Sequence, residues 1–335
     1  MGVWQEILDF TFTANETSRT FSGLSITKDD FIKVVMHNIN RRNSGGANYA
    51  LYPNNETTAT DYHTQFLQAA GTSVSANRNN FQRIHIAFAA NRTSEGIAYC
   101  KLSENNTWNT FSSYNLHENT NLSLPRLMFD YSTSTITFGT ITSLTFASDQ
   151  TDGIGTGSRI QIYKLAAEKV ADITVGTNST QVDIPFPTGT LDPAIDKDSE
   201  YLLVSDISNP AGATAGQAHN LFVNDNTTSS NYNSQLIGAS GSNAVAFREN
   251  SAIFQLSRNG ERGITYSHIK LSNIGAYTSQ NYGIDRAETS NIQIRNYFTS
   301  STAENITSIT KLNIVASATN GIGAGSRFTL YKLYE

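Results

Sequence analysis

Two stretches of this chain have the residue types and spacing of a ligand loop. Gly153-Ile154-Gly155-Thr156-Gly157-Ser158-Arg159 and Gly321-Ile322-Gly323-Ala324-Gly325-Ser326-Arg327 both place glycines at alternate positions ahead of a serine and an arginine. Glycines at that spacing let backbone N–H groups converge on a phosphate, but the chemistry needs a following helix whose N-terminus faces the anion. Here the block continues as Ile160-Gln161-Ile162-Tyr163 and Phe328-Thr329-Leu330-Tyr331, which reads as a strand. The motif is therefore expected to be a tight turn feeding a strand. Gly155, Gly157, Gly323 and Gly325 permit positive φ. Ser158 and Ser326 complete the turn, Arg159 and Arg327 bind loop carbonyls or a carboxylate, and Tyr163 and Tyr331 anchor the strand.

Other candidates for chemistry are weaker. His37, His63, His85, His117, His219 and His268 show no metal-ligand spacing, and none recurs in a second place of the same kind. Asp149-Gln150-Thr151-Asp152-Gly153 resembles a calcium loop but lacks the later bidentate Glu, so it reads as a turn. No Gly-x-Ser-x-Gly elbow and no Ser/His/Asp set stands out, and no pair of carboxylates is singled out as a glycosidase dyad. The expectation is a non-enzyme without cofactor or metal. Trp108 and Tyr114 lie in the polar stretch 105–115, where exposed aromatics could stack on sugar rings; the bland reading is a loop tucked onto its own domain. Eight Asn-x-Ser/Thr triplets, at Asn15, Asn55, Asn91, Asn105, Asn121, Asn178, Asn226 and Asn305, are read as the chance product of a chain rich in Asn, Ser and Thr.

The elements that position these residues occur twice. Gly153–Leu165 and Gly321–Leu333 are identical at nine of thirteen positions, at an offset of 168. Leu51, Asn54, Thr57, Thr58, Tyr62 and Gln65 match Leu221, Asn224, Thr227, Thr228, Tyr232 and Gln235. Gly96-Ile97-Ala98-Tyr99 matches Gly263-Ile264-Thr265-Tyr266, and Ile141 to Leu144 matches Ile309 to Leu312. The blocks keep their order, so the chain is a tandem duplication with units at 1–167 and 168–335. A period this long means two whole domains rather than a solenoid.

Within each unit almost nothing looks helical. Phe31 to Met36, Arg83 to Phe88, Arg159 to Tyr163, Ser251 to Leu256 and Asn291 to Tyr297 are β-branched runs or alternate with period two. Turn formers such as Asn43-Ser44-Gly45-Gly46, Asp152-Gly153, Asn259-Gly260 and Asn320-Gly321 separate them. The fold class expected is all-β: two tandem antiparallel β-sandwiches of jelly-roll type. Segments 55–80 and 225–245 read as long loops with room for one short helical turn.

Composition bounds the partners. Charged residues make up only 15% of the chain, and the net charge is −5. That disfavours nucleic acid as a partner. No apolar run reaches the roughly 18 residues needed to span a bilayer, and Met1 to Glu6 lacks the basic and apolar regions of a signal peptide. Cys100 is the only cysteine, so stability must come from the core.

The stretches Asn54 to Tyr62, Gly96 to Tyr99 and Ile141 to Leu165 form a pattern with their counterparts Asn224 to Tyr232, Gly263 to Tyr266 and Ile306 to Leu333. That pattern resembles a domain recurring in virion proteins of tailed bacteriophages. The resemblance covers both halves and supplies no catalytic residues. It implies a structural protein on the particle exterior, assembled in the host cytoplasm. A capsid decoration protein is the leading expectation. The alternative is a tail-associated or tail-fibre protein whose β-sandwiches bind carbohydrate or receptor. The partners implied are capsid or tail proteins of the same virion, further copies of the chain as a homo-oligomer (a trimer by analogy), and, for the tail reading, a host surface glycan.

Overall fold

The computed structural model describes residues 3–40, 46–70, 73–87, 93–116, 126–186, 200–210, 217–257, 260–272, 275–286, 293–302 and 306–334. The chain divides into two compact units, the first ending at Ala166 and the second beginning at Ala167. Each is all-β and built on the same plan.

The first unit contains β1 (Trp4–Thr11), β2 (Ser18–Ile26), β3 (Ile32–Ile39), β4 (Ala47–Pro53), β5 (Tyr62–Ala70), β6 (Ser73–Asn79), β7 (His85–Ala87), β8 (Thr93–Leu102), β9 (Thr107–Leu116), β10 (Arg126–Thr137), β11 (Ile141–Ser148) and β12 (Arg159–Leu165). One sheet has the order β1-β12-β3-β8-β9-β10-β5-β6 and the other β2-β11-β4-β7. Setting β5, β6, β9 and β10 aside leaves eight strands. Numbered one to eight, they form sheets of order 1-8-3-6 and 2-7-4-5, the double Greek key of a jelly roll. The four remaining strands come from two inserted hairpins and extend the first sheet beyond β8.

The second unit repeats this with β13 (Glu168–Thr174), β14 (Gln181–Pro185), β15 (Glu200–Ser208), β16 (Gln217–Val223), β17 (Tyr232–Ser240), β18 (Asn243–Glu249), β19 (Ile253–Ser257), β20 (Arg262–Leu271), β21 (Tyr277–Arg286), β22 (Gln293–Ser301), β23 (Lys311–Ala316) and β24 (Arg327–Tyr334). Its sheets run β13-β24-β15-β20-β21-β22-β17-β18 and β14-β23-β16-β19. The extension is therefore part of the duplicated unit.

Alternation places one apolar face of each strand in the sandwich. In the first unit, Ile32, Val34 and Met36 of β3 and Ile160 and Ile162 of β12 pack in one cluster with Tyr49, Leu51, Leu144 and Phe146 of the facing sheet. Tyr49 and Phe146 stack with ring centroids 5.6 Å apart. In the second, Leu203, Phe328 and Leu330 meet Leu221, Leu312 and Ile314.

Two expectations are corrected. Segments 55–80 and 225–245 are not long loops: each holds a 3-10 turn (Ala59–Asp61, Ser229–Asn231) and then a hairpin, β5–β6 or β17–β18. Their strands carry polar residues on both faces, as in Tyr62-His63-Thr64-Gln65, so no hydrophobic period announces them. The ladder to β10 or β22 supplies what the pattern lacks. The match of Gly96 to Gly263 also fails in register. Val34 pairs with Ala98 in the first unit, and the corresponding Leu203 pairs with Ser267 in the second. The strands therefore correspond at an offset of 169, and Gly96 corresponds to Thr265. The two-residue slip leaves every side chain on its expected face.

Candidate functional site

The closing motif is a turn in both units. The Ser158 N–H donates to the Gly155 carbonyl at 3.0 Å, and the Ser326 N–H to that of Gly323 at 3.1 Å. Gly157 and Gly325, at the third position of each turn, have φ of +89° and +80°. A four-residue turn with positive φ at that position is of type II, where glycine is required. Gly155 and Gly323 do not share the left-handed conformation, contrary to expectation. At Gly323 the constraint is space: a Cβ there would lie 2.8 Å from the Ser208 carbonyl oxygen. Ser158 and Ser326 are fully buried, and their Oγ atoms accept the N–H of Ile39 at 2.9 Å and of Ser208 at 3.0 Å. Each serine thus ties the turn to the last residue of β3 or β15.

The arginines pair inside their own units with a carboxylate on the first strand. Arg159 grips Asp9 with both Nε and a terminal nitrogen, the former at 2.8 Å. Arg327 holds Asp172 through Nε at 2.7 Å and a terminal nitrogen at 2.6 Å. Hydrogen bonding from the guanidinium pulls both carboxyls below their usual range. Tyr163 lies on the outer face under the Lys33 ammonium, 5.0 Å from its ring centroid, whereas Tyr331 is buried. Nothing in the motif presents unpaired donors to an anion.

The other repeated residues are also folding devices. Asn54 and Asn224 adopt φ of 50° and 51°, and their Oδ1 atoms accept the N–H of Thr142 and Thr310, each at 2.8 Å. The Tyr62 and Tyr232 hydroxyls donate to the carbonyls of Glu56 at 2.8 Å and Asn226 at 3.0 Å. The Gln65 and Gln235 amides donate to the carbonyls of Asn77 at 2.8 Å and Phe247 at 2.9 Å.

The sugar-stacking candidates fail for a simple reason. Trp108 is 0% exposed and Tyr114 is 1% exposed, so neither ring has a face for a ligand. The polar stretch around them is β9, and both side chains point into the sandwich. Trp108 packs in the main core. Tyr114 belongs to a buried polar cluster that sequence reading missed. Its hydroxyl donates to Asp130 at 2.8 Å, and Asp130 also accepts from Arg83 at 2.8 and 3.0 Å. The guanidinium lies 4.0 Å from the Phe66 ring centroid. Burial pushes the Asp130 carboxyl upward against the pull of Arg83. The cluster has no open face and serves packing.

Among the described residues, no group of three or more His, Cys, Asp or Glu side chains could hold a metal. His219 is buried with Nε2 3.2 Å from the Gly321 carbonyl, and burial lowers its pKa to about 4. Burial pushes the Cys100 thiol up, away from any nucleophilic role. His117 and the triplets at Asn91, Asn121 and Asn305 lie outside the described residues, as does the His85 side chain. Of the remaining triplet asparagines, Asn15 and Asn178 accept the N–H of Thr156 and Ala324, both at 2.9 Å, and so brace the closing turn.

Among the described residues the exposed large apolar side chains are Val74 and Ile97 in the first unit and Ile237 and Phe298 on the extension sheet of the second. Ile237 of β17 is 45% exposed and Phe298 of β22 is 52% exposed. Phe298 sits in a shallow open depression of about 360 Å³ with Asn233, Ser234, Gln235, Arg248 and Ser300. Arg248 and Asn233 make no side-chain hydrogen bond or ion pair among the described residues. A Phe is expected in a core, so the sequence carried no signal for this one.

No family model matches the chain, and no curated protein matches it. Among solved structures it is similar to domains LG4-5 of the mouse laminin alpha1 chain, at 7% identity and a TM-score of 0.20, over 97% of this chain and 89% of that one. It is also similar to the transport unit of an Escherichia coli autotransporter, at 8% identity and a TM-score of 0.14, over 82% and 90% of the two chains. A structure of infectious bursal disease virus gives 10% identity and a TM-score of 0.13, over 98% and 80%. Likeness at this level carries no functional argument.

Proposed function

We propose that the chain is a non-enzymatic structural protein of a bacteriophage virion, bound to the outside of the particle as a capsid decoration protein. The observation that carries this reading is what the duplication kept. Every repeated residue with a resolved role is a turn former, a strand anchor or an intradomain ion pair: Gly157 and Gly325, Ser158 and Ser326, Arg159 and Arg327, Asn54 and Asn224, Tyr62 and Tyr232. A duplicated enzyme would be expected to keep its reacting groups in at least one copy as an accessible cluster. A protein that works by surface complementarity needs only the scaffold. The sequence resemblance to tailed-phage virion domains supplies the setting, the capsid partners and the expectation of a homo-oligomer, with a trimer as the form tested.

The experiment is the position and copy number of the protein on purified particles, read by electron microscopy and quantitative gel densitometry. Hundreds of copies over the head support decoration. A few copies confined to the tail overturn it in favour of a tail-associated protein. A strictly monomeric mass in solution, with isolated copies on the particle, removes the trimer.

A further inference from the structure

We infer that the outer face of the second unit's extension sheet is a binding site for an acidic sugar, with Phe298 as the stacking platform and Arg248 as the carboxylate partner. This goes beyond the decoration reading and stands wherever on a particle the protein sits.

The site is assembled by two strand pairings. Gln235 of β17 lies directly opposite Phe298 of β22, and Asn233 lies opposite Ser300. Arg248 reaches the same depression from β18. A pyranose has an apolar C–H face and an equatorial rim of hydroxyls. The half-exposed Phe298 ring fits the face. Asn233 has an uncommitted amide among the described residues. The Gln235 Nε2 donates to the Phe247 carbonyl at 2.9 Å, which fixes the side chain and leaves Oε1 as an acceptor. The Ser300 hydroxyl donates to the Ser301 carbonyl at 3.1 Å, which leaves its oxygen as an acceptor. These groups suit hydroxyls of either polarity.

Arg248 sets the class. It is an exposed guanidinium without a carboxylate partner among the described residues. In contrast, Arg83, Arg159, Arg262 and Arg327 are each paired with an Asp. A planar fork beside a stacking ring matches a carboxylate carried on a sugar, as in a uronic or sialic acid. Gln65, Arg78 and Tyr131 stand at the corresponding positions of the first unit. Tyr131 is 1% exposed, so the second unit alone presents its ring.

The test uses the intact chain and three probes, tri-galacturonate, 3′-sialyllactose and neutral maltotriose, followed by calorimetry and saturation-transfer NMR. Binding of one or both acidic probes is expected, with neutral maltotriose weaker by about tenfold or more. Phe298→Ala and Arg248→Ala should each remove that binding without shifting the melting temperature, because both side chains are exposed. Which acidic probe wins distinguishes a uronate from a sialate. Three results overturn the assignment: no acidic probe binding up to its solubility limit, equal binding of maltotriose, or binding that survives both variants. A Phe298→Ala variant that changes the mass of the protein in solution would overturn it as well, assigning the face to contact between copies.

Discussion

Arg83 in the first unit and Ile253 in the second occupy the same point of one fold. Each lies two residues after one whose carbonyl accepts a hydroxyl from β5 or β17, Thr64 to Phe81 and Ser234 to Ser251. Register extends the comparison. Asp130 pairs with Phe66, and the corresponding Tyr297 pairs with Leu236. Tyr114 pairs with Met128, and the corresponding Gly283 with Arg295. Where the first unit buries Arg83, Asp130 and Tyr114 in a polar triad, the second packs Leu236, Ile253 and Tyr297. Two copies of one scaffold thus solve the space beneath the extension sheet by different physics. A charge pair there is not needed for the fold; once present, its members depend on one another.

That dependence is the largest effect expected. Asp130→Asn leaves the Arg83 guanidinium buried without its counter-charge and should destabilise by about 3–5 kcal/mol. Replacing the whole triad by Arg83→Met, Tyr114→Phe and Asp130→Leu should recover most of that loss, as the second unit's apolar version implies. Urea unfolding of the intact chain checks both. A triple variant as unstable as Asp130→Asn would show that the first unit has come to require the charges.

The second contrast lies in the facing sheet, where Tyr49 corresponds to His219. The Tyr49 hydroxyl donates to the Gly153 carbonyl at 2.9 Å, and His219 uses Nε2 toward Gly321 at 3.2 Å. Burial holds the His219 pKa at about 4, from an ordinary 6.5. Between those values the unfolded chain binds more protons than the folded one. The His219 contribution to stability is therefore fully present above about pH 6.5, falls as pH drops, and levels off near pH 4, a loss on the order of 3 kcal/mol. Burial moves the Tyr49 hydroxyl upward, so it adds nothing in that window. His219→Gln should flatten the acid limb of a stability–pH curve, and an unchanged slope would place the titration elsewhere.

These contrasts also show what sequence carries. The closing strands, the turns at Asp152-Gly153 and Asn320-Gly321 and the duplication were legible because they depend on local backbone chemistry and on period-two alternation. The β5–β6 and β17–β18 hairpins were not, because Tyr62-His63-Thr64-Gln65 and Tyr232-Asn233-Ser234-Gln235 have polar residues on both faces. The Arg83–Asp130 pair was invisible for another reason. Arg83 opens an alternating run that reads as half-exposed, and its partner is 47 residues away. The polar neighbourhood of Trp108 left exposure and burial both open, and nothing in the sequence marked Phe298 as exposed.

The closing turn gives a smaller effect. Gly157→Ala and Gly325→Ala should each cost about 1 kcal/mol or more, because both force a side chain into positive φ. Gly157 should be the more sensitive. A Cβ there would lie 3.2 Å from the Ile39 Cδ1, whereas at Gly325 nothing lies within 4 Å. Thermal unfolding of the two variants checks the order. Equal losses would mean that Ile39 moves aside freely.

The smallest effect separates the two arginines that follow. Both make a two-point grip on a first-strand aspartate, but their surroundings differ. The Arg159 side chain is 48% exposed, and that of Arg327 is 13% exposed. Water and salt screen the first pair, and exposed ion pairs contribute little. Asp172 is also held by Lys169 at 2.8 Å and accepts from the Thr329 hydroxyl at 3.3 Å. Removing Arg327 therefore disturbs a network and strands a partly buried carboxylate. Arg327→Ala should destabilise by about 1 kcal/mol, while Arg159→Ala should produce a smaller change that shrinks further in 1 M salt. Asp172 has its carboxyl held below the usual range, so the Arg327 contribution is present above the ordinary carboxylate pKa of 3.8 and is lost as pH falls through the lower folded value. Melting of both variants at pH 7 and pH 3, at low and high salt, reads the difference. Equal and salt-insensitive losses would mean that the repeated arginines act through packing of their stems rather than through charge.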